Sequence, residues 1–415
     1  VKKFIIALLA AVIAAASSAF AQADLRVGTW MLADDNIFRN YSGEGDMVFM
    51  PYADLGYTAK LGEDQQIYFS YNGDFYFFNQ LSQRDFSVHG GHFDYSRLWP
   101  ESQTQLALGA MVESRFNPED YSYYNYTEGG LYASLKHYFR DDLMTLVRYN
   151  LDGRGFKEFP EFNYVEQVFS LRTNWFLPSN TTLSLTGTFY NKSYTSDVQT
   201  LDSTFVSPED LRDRLLLQGR GPMWMRMQQL LGDDFEGFYR YDVRAQRFPG
   251  TNQMALEASV AQNLAEGTGL MVGYSARVNP KNRNRYLTNL GESVLNNEEL
   301  FDDHYSYNGH EARVQLKQLL PGESSLTLLA TARTRRFSNR PALDLEGNLL
   351  ASGDSRRDRA VLVNALFTSH ISAGFTGALD DFELNVQAGA GRNDSNDRYY
   401  DYRSAWLSIG LEKAF

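Results

Sequence analysis

The last twelve residues, SAWLSIGLEKAF (404–415), place Ala405, Leu407, Ile409, Leu411 and Phe415 on every second position, interrupted only by Lys413. The intervening positions carry Ser404, Ser408, Gly410 and Glu412. Strict alternation describes a β-strand with one apolar and one polar face. It suits a soluble sandwich as well as a membrane barrel, so the rest of the chain has to decide.

The same dyad recurs in IYFSYNGDFYF, QTQLALGAMVESRF, TTLSLTGTFYNKSY, GLMVGYSARV, HEARVQLKQL, SSLTLLATARTRRF and DFELNVQAGAGRN. Each run is long enough to cross a bilayer as a tilted strand, which takes about 9 to 11 residues. Tight connections rich in Gly, Pro, Asp, Asn or Ser fall at 61–65, 99–102, 140–142, 178–180, 265–268, 321–324 and 378–381. Longer polar or aromatic connections fall near 34–46, 79–84, 117–124, 156–163, 195–251, 281–308, 338–358 and 394–401. Short and long alternate without a break, as short periplasmic turns and long extracellular loops do in outer-membrane barrels.

Seven short and eight long connections join sixteen strands, provided that LRVGTWML (25–32) is the first. An even count puts both ends of the sheet in the periplasm. Weak strands leave the number between fourteen and eighteen. The expected fold is all-β, a transmembrane antiparallel barrel. Closure has a physical reason: in hydrocarbon every backbone N–H and C=O needs an internal partner, and a sheet achieves that only without an edge.

The opening segment, VKKFIIALLAAVIAAASSAFAQ, has two lysines, an apolar run from Phe4 to Ala16, and Ala19 and Ala21 in an A-x-A arrangement. It reads as a signal peptide over 1–21, leaving 22–415 as a single barrel domain. Removing Lys2 and Lys3 takes the formal charge from -12 to -14. So acidic a chain is a poor partner for nucleic acid. With no cysteine, disulfides, iron–sulfur ligation, covalent haem attachment and cysteine catalysis are excluded within the chain. No apolar run of 18 residues follows the signal, yet 26 Tyr and 28 Phe are present at a mean hydropathy of -0.41. A wet interior inside an apolar belt accounts for both.

The whole pattern resembles the porin-like class of Gram-negative outer-membrane β-barrels, as an architecture rather than as one family. The resemblance implies that Leu407, Ile409, Leu411 and Phe415 form the signal read by the barrel-insertion machinery. Lys413 departs from it, standing where such barrels carry an aromatic or apolar residue; near the interface a lysine can snorkel.

With the apolar set of each strand toward lipid, as in Leu106, Leu108, Ala110 and Val112 or Leu270, Val272, Tyr274 and Ala276, the opposite set faces the lumen. It contains Asp54, Asp74, Glu113, Glu166, Glu257, Glu311, Glu383 and Glu412. Against them stand Lys136, Arg148, Arg172, Lys192, Arg277, Arg313, Lys317, Arg333 and Arg335. So many charges would be costly to bury dry unless every one were paired, and a water-filled lumen removes the difficulty. Interlocked ion pairs plugging the barrel are the alternative. Basic residues cluster at 277–286, 333–340 and 355–359. Arg313, Arg333 and Arg335 on adjacent strands would make a positive wall favouring anions; solvated loop arginines meeting lipopolysaccharide are the plainer explanation.

The connection 195–251 contains SPEDLRDRLLLQGRGPMWMRMQQLLGDD, in which Ser207 can N-cap and Pro208 fits the first helical position. A helical insert is expected there, with a second helix over about Pro222–Leu231. Arg212, Arg214, Arg220, Trp224 and Arg226 are its candidates for a constriction, if it folds into the lumen rather than over the rim. A small satellite core is the bland alternative.

Chemistry is sparse. His89 and His92 fall on opposite strand faces, His304 and His310 flank a loop, and His137 and His370 stand isolated, with Ser369 on the opposite face from His370. No catalytic set, metal site or cofactor is implied. The expected function is passive diffusion of ions and small hydrophilic solutes through an outer-membrane channel. A barrel sleeve binding an exported or electron-transfer partner is the alternative, and a rim enzyme a more distant one. Lipid, lipopolysaccharide and the insertion machinery are the expected partners; association into a homo-oligomer stays open.

Overall fold

The computed structural model describes residues 23–206, 238–247, 250–280, 307–346, 348–350, 352–371 and 381–415, without the side chains of 197–206, 238–247 and 339. Its strands are β1 (Ala23–Asp34), β2 (Asp46–Lys60), β3 (Gln65–Phe78), β4 (Phe86–Trp99), β5 (Thr104–Phe116) and β6 (Tyr126–Arg140). They continue with β7 (Leu143–Phe156), β8 (Tyr164–Leu177), β9 (Thr181–Tyr194), β10 (Asp197–Val206), β11 (Phe238–Arg247) and β12 (Thr251–Ala265). The last six are β13 (Thr268–Val278), β14 (Asn308–Leu320), β15 (Ser324–Pro341), β16 (Ser355–Ile371), β17 (Phe382–Ser395) and β18 (Tyr402–Ala414).

Sixteen of these, all but β10 and β11, close into one antiparallel barrel in which each strand pairs with its neighbours in the chain and β1 pairs with β18. The seam runs from Arg26↔Ala414 to Asp34↔Trp406. It is finished by Phe415, whose N–H donates to the Leu25 carbonyl at 2.8 Å. No barrel strand is left with an unpaired edge, which is what a sheet surrounded by hydrocarbon requires.

The reversals are tightest where the sequence shows its short turns. Gln103, Asn180, Glu323 and the glycines at 267 and 322 have positive φ there, a left-handed backbone that turns the chain within a few residues. The described short turns and both ends of the sheet lie at one end of the barrel. The last expected short turn, 378–381, lies outside the described residues except for Asp381.

Within 195–251, β10 and β11 form a separate antiparallel hairpin, from Asp197↔Arg247 to Val206↔Phe238. The alternation-based reading did not anticipate it. The expected helices at 207–231, with Arg212, Arg214, Arg220, Trp224 and Arg226, lie outside the described residues, as does the expected signal peptide.

One face of the barrel strands is apolar and exposed: Leu108, Val112, Leu131, Leu185, Leu256, Val272, Val361, Leu407, Ile409 and Leu411 all stand on it. A Leu-sized side chain moved from water into hydrocarbon contributes about 1.5–3 kcal/mol. This outer surface is therefore stable only against lipid. Lys413 shares this parity at the short-turn end, and its amine turns to the Asp381 carbonyl at 3.4 Å and the Phe415 ring at 5.5 Å. Those contacts draw the charge along the rim, as snorkelling requires.

Candidate functional site

The polar face is the concave one, because side chains on it meet across an intervening strand. Tyr52 of β2 donates its hydroxyl hydrogen to Glu412 of β18 over β1. Tyr132 of β6 donates to Asp94 of β4 over β5. Arg313 of β14 donates to Glu257 of β12 over β13 at 2.7 Å. Side chains converge in this way on the inside of a curved sheet and diverge on the outside.

Glycine makes the first two bridges passable. Gly28 pairs with both Tyr52 and Glu412, and a Cβ at Gly28 would lie 2.5 Å from the Tyr52 ring. Gly109 takes the same place between Asp94 and Tyr132. Two inward tryptophans use the device without a carboxylate, Trp30 lying over Gly410 and Trp406 over Gly389. The aromatic rings thus lie flat along the wall.

By register, all seventeen charged residues expected at the lumen share this inner face: Asp54 and Asp74 flank the Tyr52 row, Glu113 pairs with Glu128, and Glu166 pairs with Lys192. Lys136, Arg148 and Arg172 follow on β6, β7 and β8. Glu257, Arg277, Glu311, Arg313, Lys317, Arg333 and Arg335 occupy β12 to β15, and Glu383 pairs with Glu412.

Several inward charges escaped the sequence reading. Asp94, Arg115, Glu128, Asp152, Arg154, Arg356 and Asp358 lie on the same parity. Glu128 accepts from Arg154 at 2.6 Å, and Arg154 rests over the Tyr126 ring at 4.2 Å. Tyr126 donates to Glu113 at 2.6 Å. Lys192 lies over Tyr164 at 3.9 Å, Arg148 over Tyr132 at 4.3 Å, and Arg115 over Phe86 at 3.9 Å. Alternation could have found most of these residues, since all but Asp94 stand two positions from another inward charge or Tyr. They were passed over because their segments, such as HFDYSRLW (92–99), alternate aromatic with aromatic and hide the apolar face.

Two clusters differ from this acid-and-base mosaic. At the long-connection end, Arg356 is 1 % exposed, paired to Asp358 through two hydrogen bonds of 3.0 and 2.7 Å, and sandwiched between Phe337 and Tyr400. Ser395 adds a third bond to Asp358 at 2.7 Å. Lower on the same side, Arg277, Arg333 and Arg335 gather around Gly309. The expected positive wall of Arg313, Arg333 and Arg335 changes membership accordingly: Arg313 is neutralised by Glu257, and Arg277 takes its place.

The described histidines remain apart, and His304 lies outside the described residues. His89 faces outward and meets Tyr71 at 2.8 Å, and His310 likewise meets Tyr274 at 2.7 Å. His92 faces inward, so His89 and His92 are on opposite faces. His370 faces inward, 3.9 Å from Glu383, while the Ser369 hydroxyl is 2.8 Å from Ser324 on the other face. Among the described residues no group of three or more metal-ligating side chains comes together.

No protein-family model matches the chain, and no curated protein matches it. Among solved structures it is similar in chain course to Pseudomonas aeruginosa OprD, at 9 % identity over 95 % of this chain and 94 % of that one, with a TM-score of 0.45. It is similar to Acinetobacter baumannii OccAB1 at 10 % identity over 95 % and 96 %, TM-score 0.44. Escherichia coli CdiB matches at 11 % identity over 93 % of this chain and 63 % of that one, TM-score 0.46.

Proposed function

We propose that the protein is an outer-membrane channel of a Gram-negative bacterium, through which ions and small hydrophilic solutes diffuse passively. One observation carries the reading: a closed ring of sixteen strands with an apolar exterior and a charge-studded inner face. Barrels of eight strands fill with side chains, whereas sixteen leave room for water. The aromatic side chains of Tyr52, Tyr132, Trp30 and Trp406 lie against the wall instead of projecting from it, which favours an open interior over a plugged one. Acids and bases in the lumen then stay solvated and need not all be paired.

No chemical step belongs to this function. Transport follows the concentration gradient, and the inner charges set which solutes pass easily. The test is to reconstitute the purified chain in a planar bilayer. Stepwise, ohmic openings are expected; a membrane that stays silent with the protein inserted would reject the channel. Openings that arise only on removal of a co-purified partner would favour the sleeve instead.

A further inference from the structure

The register brings Arg277 of β13 and Arg335 of β15 to the two sides of one residue, Gly309 of β14. Arg333 stands two residues along β15 on the same face, opposite Glu311. Two strand spacings, about 10 Å, separate the backbones of Arg277 and Arg335, and the Tyr307 ring stands beside the glycine between them. With Ser275, Tyr307 and Glu311 the arginines line a small recess of about 20 Å³. The recess depends on Gly309, since a Cβ there would come within 3.3 Å of the Tyr307 ring and closer still to the Thr334 carbonyl.

What sets this cluster apart is its charge balance. Three other inner arginines have carboxylate partners, Arg154 with Glu128, Arg313 with Glu257 and Arg356 with Asp358, and Arg148 and Arg172 donate to Asn150 and Thr186. Among the described residues, Arg277, Arg333 and Arg335 make no ion pair or hydrogen bond. Arg335 lies over the Tyr307 ring at 4.9 Å, and its Nε–H is out of contact with solvent and lacks an acceptor. The nearby carboxylate of Asp358 is occupied by Arg356 and Ser395. Three guanidinium groups against the single carboxylate of Glu311 leave an excess of two positive charges. Half-buried like charges favour the arrival of a counter-anion, and planar guanidinium groups hold oxyanions through paired hydrogen bonds.

We propose that Arg277, Arg333 and Arg335 form a binding subsite for the oxyanion group, carboxylate or phosphate, of a small anionic solute. The group would lie across the guanidinium groups at the mouth of the recess, which at about 20 Å³ has room for about one water molecule, while the rest of the solute stays in the lumen. This deepens the channel reading and rests on it for its transport meaning, though not for the binding itself.

The test has two arms. In the first, isothermal titration of the detergent-solubilised full chain uses inorganic phosphate and, separately, succinate. Saturable binding of at least one is expected, weakened tenfold or more in R333Q/R335Q and retained in R392Q, a change on the outer face. Binding of phosphate alone assigns the site to phosphate esters, and binding of succinate alone to carboxylates. No saturable binding of either, or equal binding by R333Q/R335Q, overturns the proposal. In the second arm, phosphate or succinate added to single channels in potassium chloride should cause concentration-dependent current blockade that R333Q/R335Q loses. Open channels without blockade would overturn the subsite and leave the channel standing. Saturable binding without any channel activity would keep the subsite and reject the channel.

Discussion

Tyr52 donates its hydroxyl hydrogen to Glu412 across Gly28, so β2 and β18 are joined over the strand that lies between them. The ring's closing seam, β1 with β18, is thereby crossed by a side-chain strap as well as by its backbone ladder. Replacing Tyr52 with Phe removes a hydrogen bond to a charged acceptor, and in this half-buried setting about 1–2 kcal/mol of stability should be lost. Gly28→Val should cost at least as much, because its side chain displaces the ring. Urea-induced unfolding followed by the folded-barrel gel-mobility shift measures both. Unchanged midpoints would mean the strap bears no part of the closure.

The two faces should respond oppositely to charge. Leu108→Arg puts a guanidinium against hydrocarbon near mid-strand and should destabilise the barrel by about 2–4 kcal/mol. Ala107→Arg, one residue earlier and inward by register with Ser96 and Ser134, should cost much less. Unfolding titrations in lipid vesicles compare the two; equal costs would contradict the assignment of faces.

Arg356 is the most deeply buried cation among the described side chains, held by Asp358 and two aromatic rings. Arg356→Ala leaves Asp358 buried without its counter-charge, and about 3–5 kcal/mol should be lost. The connections at 342–354 and 396–401 meet beside this pair, through the Arg398 N–H donated to the Leu343 carbonyl at 3.1 Å. Limited proteolysis should therefore cut within them in the variant before it cuts elsewhere. A double change, R356M/D358L, should be milder than R356A alone.

Asp397 supplies a pH dependence. Burial pushes its carboxyl above the ordinary value, against the opposing pull of Arg356 and Arg340 and of the hydrogen bonds from the Leu343 and Tyr399 N–H groups. A raised folded value means that the folded connection holds the proton more tightly than the unfolded chain does. The stabilisation is complete below the ordinary carboxylate value and is lost as pH rises through the raised one. Amide exchange at Tyr399, corrected for its intrinsic rate, should show protection falling over that window. Asp397→Asn should keep the low-pH behaviour throughout.

Much of this architecture was legible in the alternation. Leu407, Ile409 and Leu411 stand outward and Glu412 inward, because a strand has only two faces and one of them must be apolar. Register between distant strands was not legible in the same way. Nothing in RVNP (277–280) or GHEARV (309–314) announces that Arg277 and Arg335 face one glycine, since that depends on pairing across a long connection. Arg313 does stand on the inner face diagonally beside Arg333, but its partner Glu257 is two strands away, so its neutralisation could not be read from sequence. The hairpin of β10 and β11 was missed for a different reason. DVQTLDSTFV (197–206) places Val198, Leu201, Phe205 and Val206 at i, i+3, i+7 and i+8, a helical spacing and not an alternating one, so no strand is signalled.

The gathering of the described short reversals at one end divides the barrel into a rim that cannot absorb extra residues and a rim that can. One residue inserted in β14 or β15 beside the three-residue turn at 321–323 would exchange the greasy and polar sides of that strand. At 342–354, doubling the length would add only about 0.6 kcal/mol of loop-closure entropy. Epitope tags, reporter peptides and natural length variation all belong at the second rim, where the barrel's register is indifferent to them.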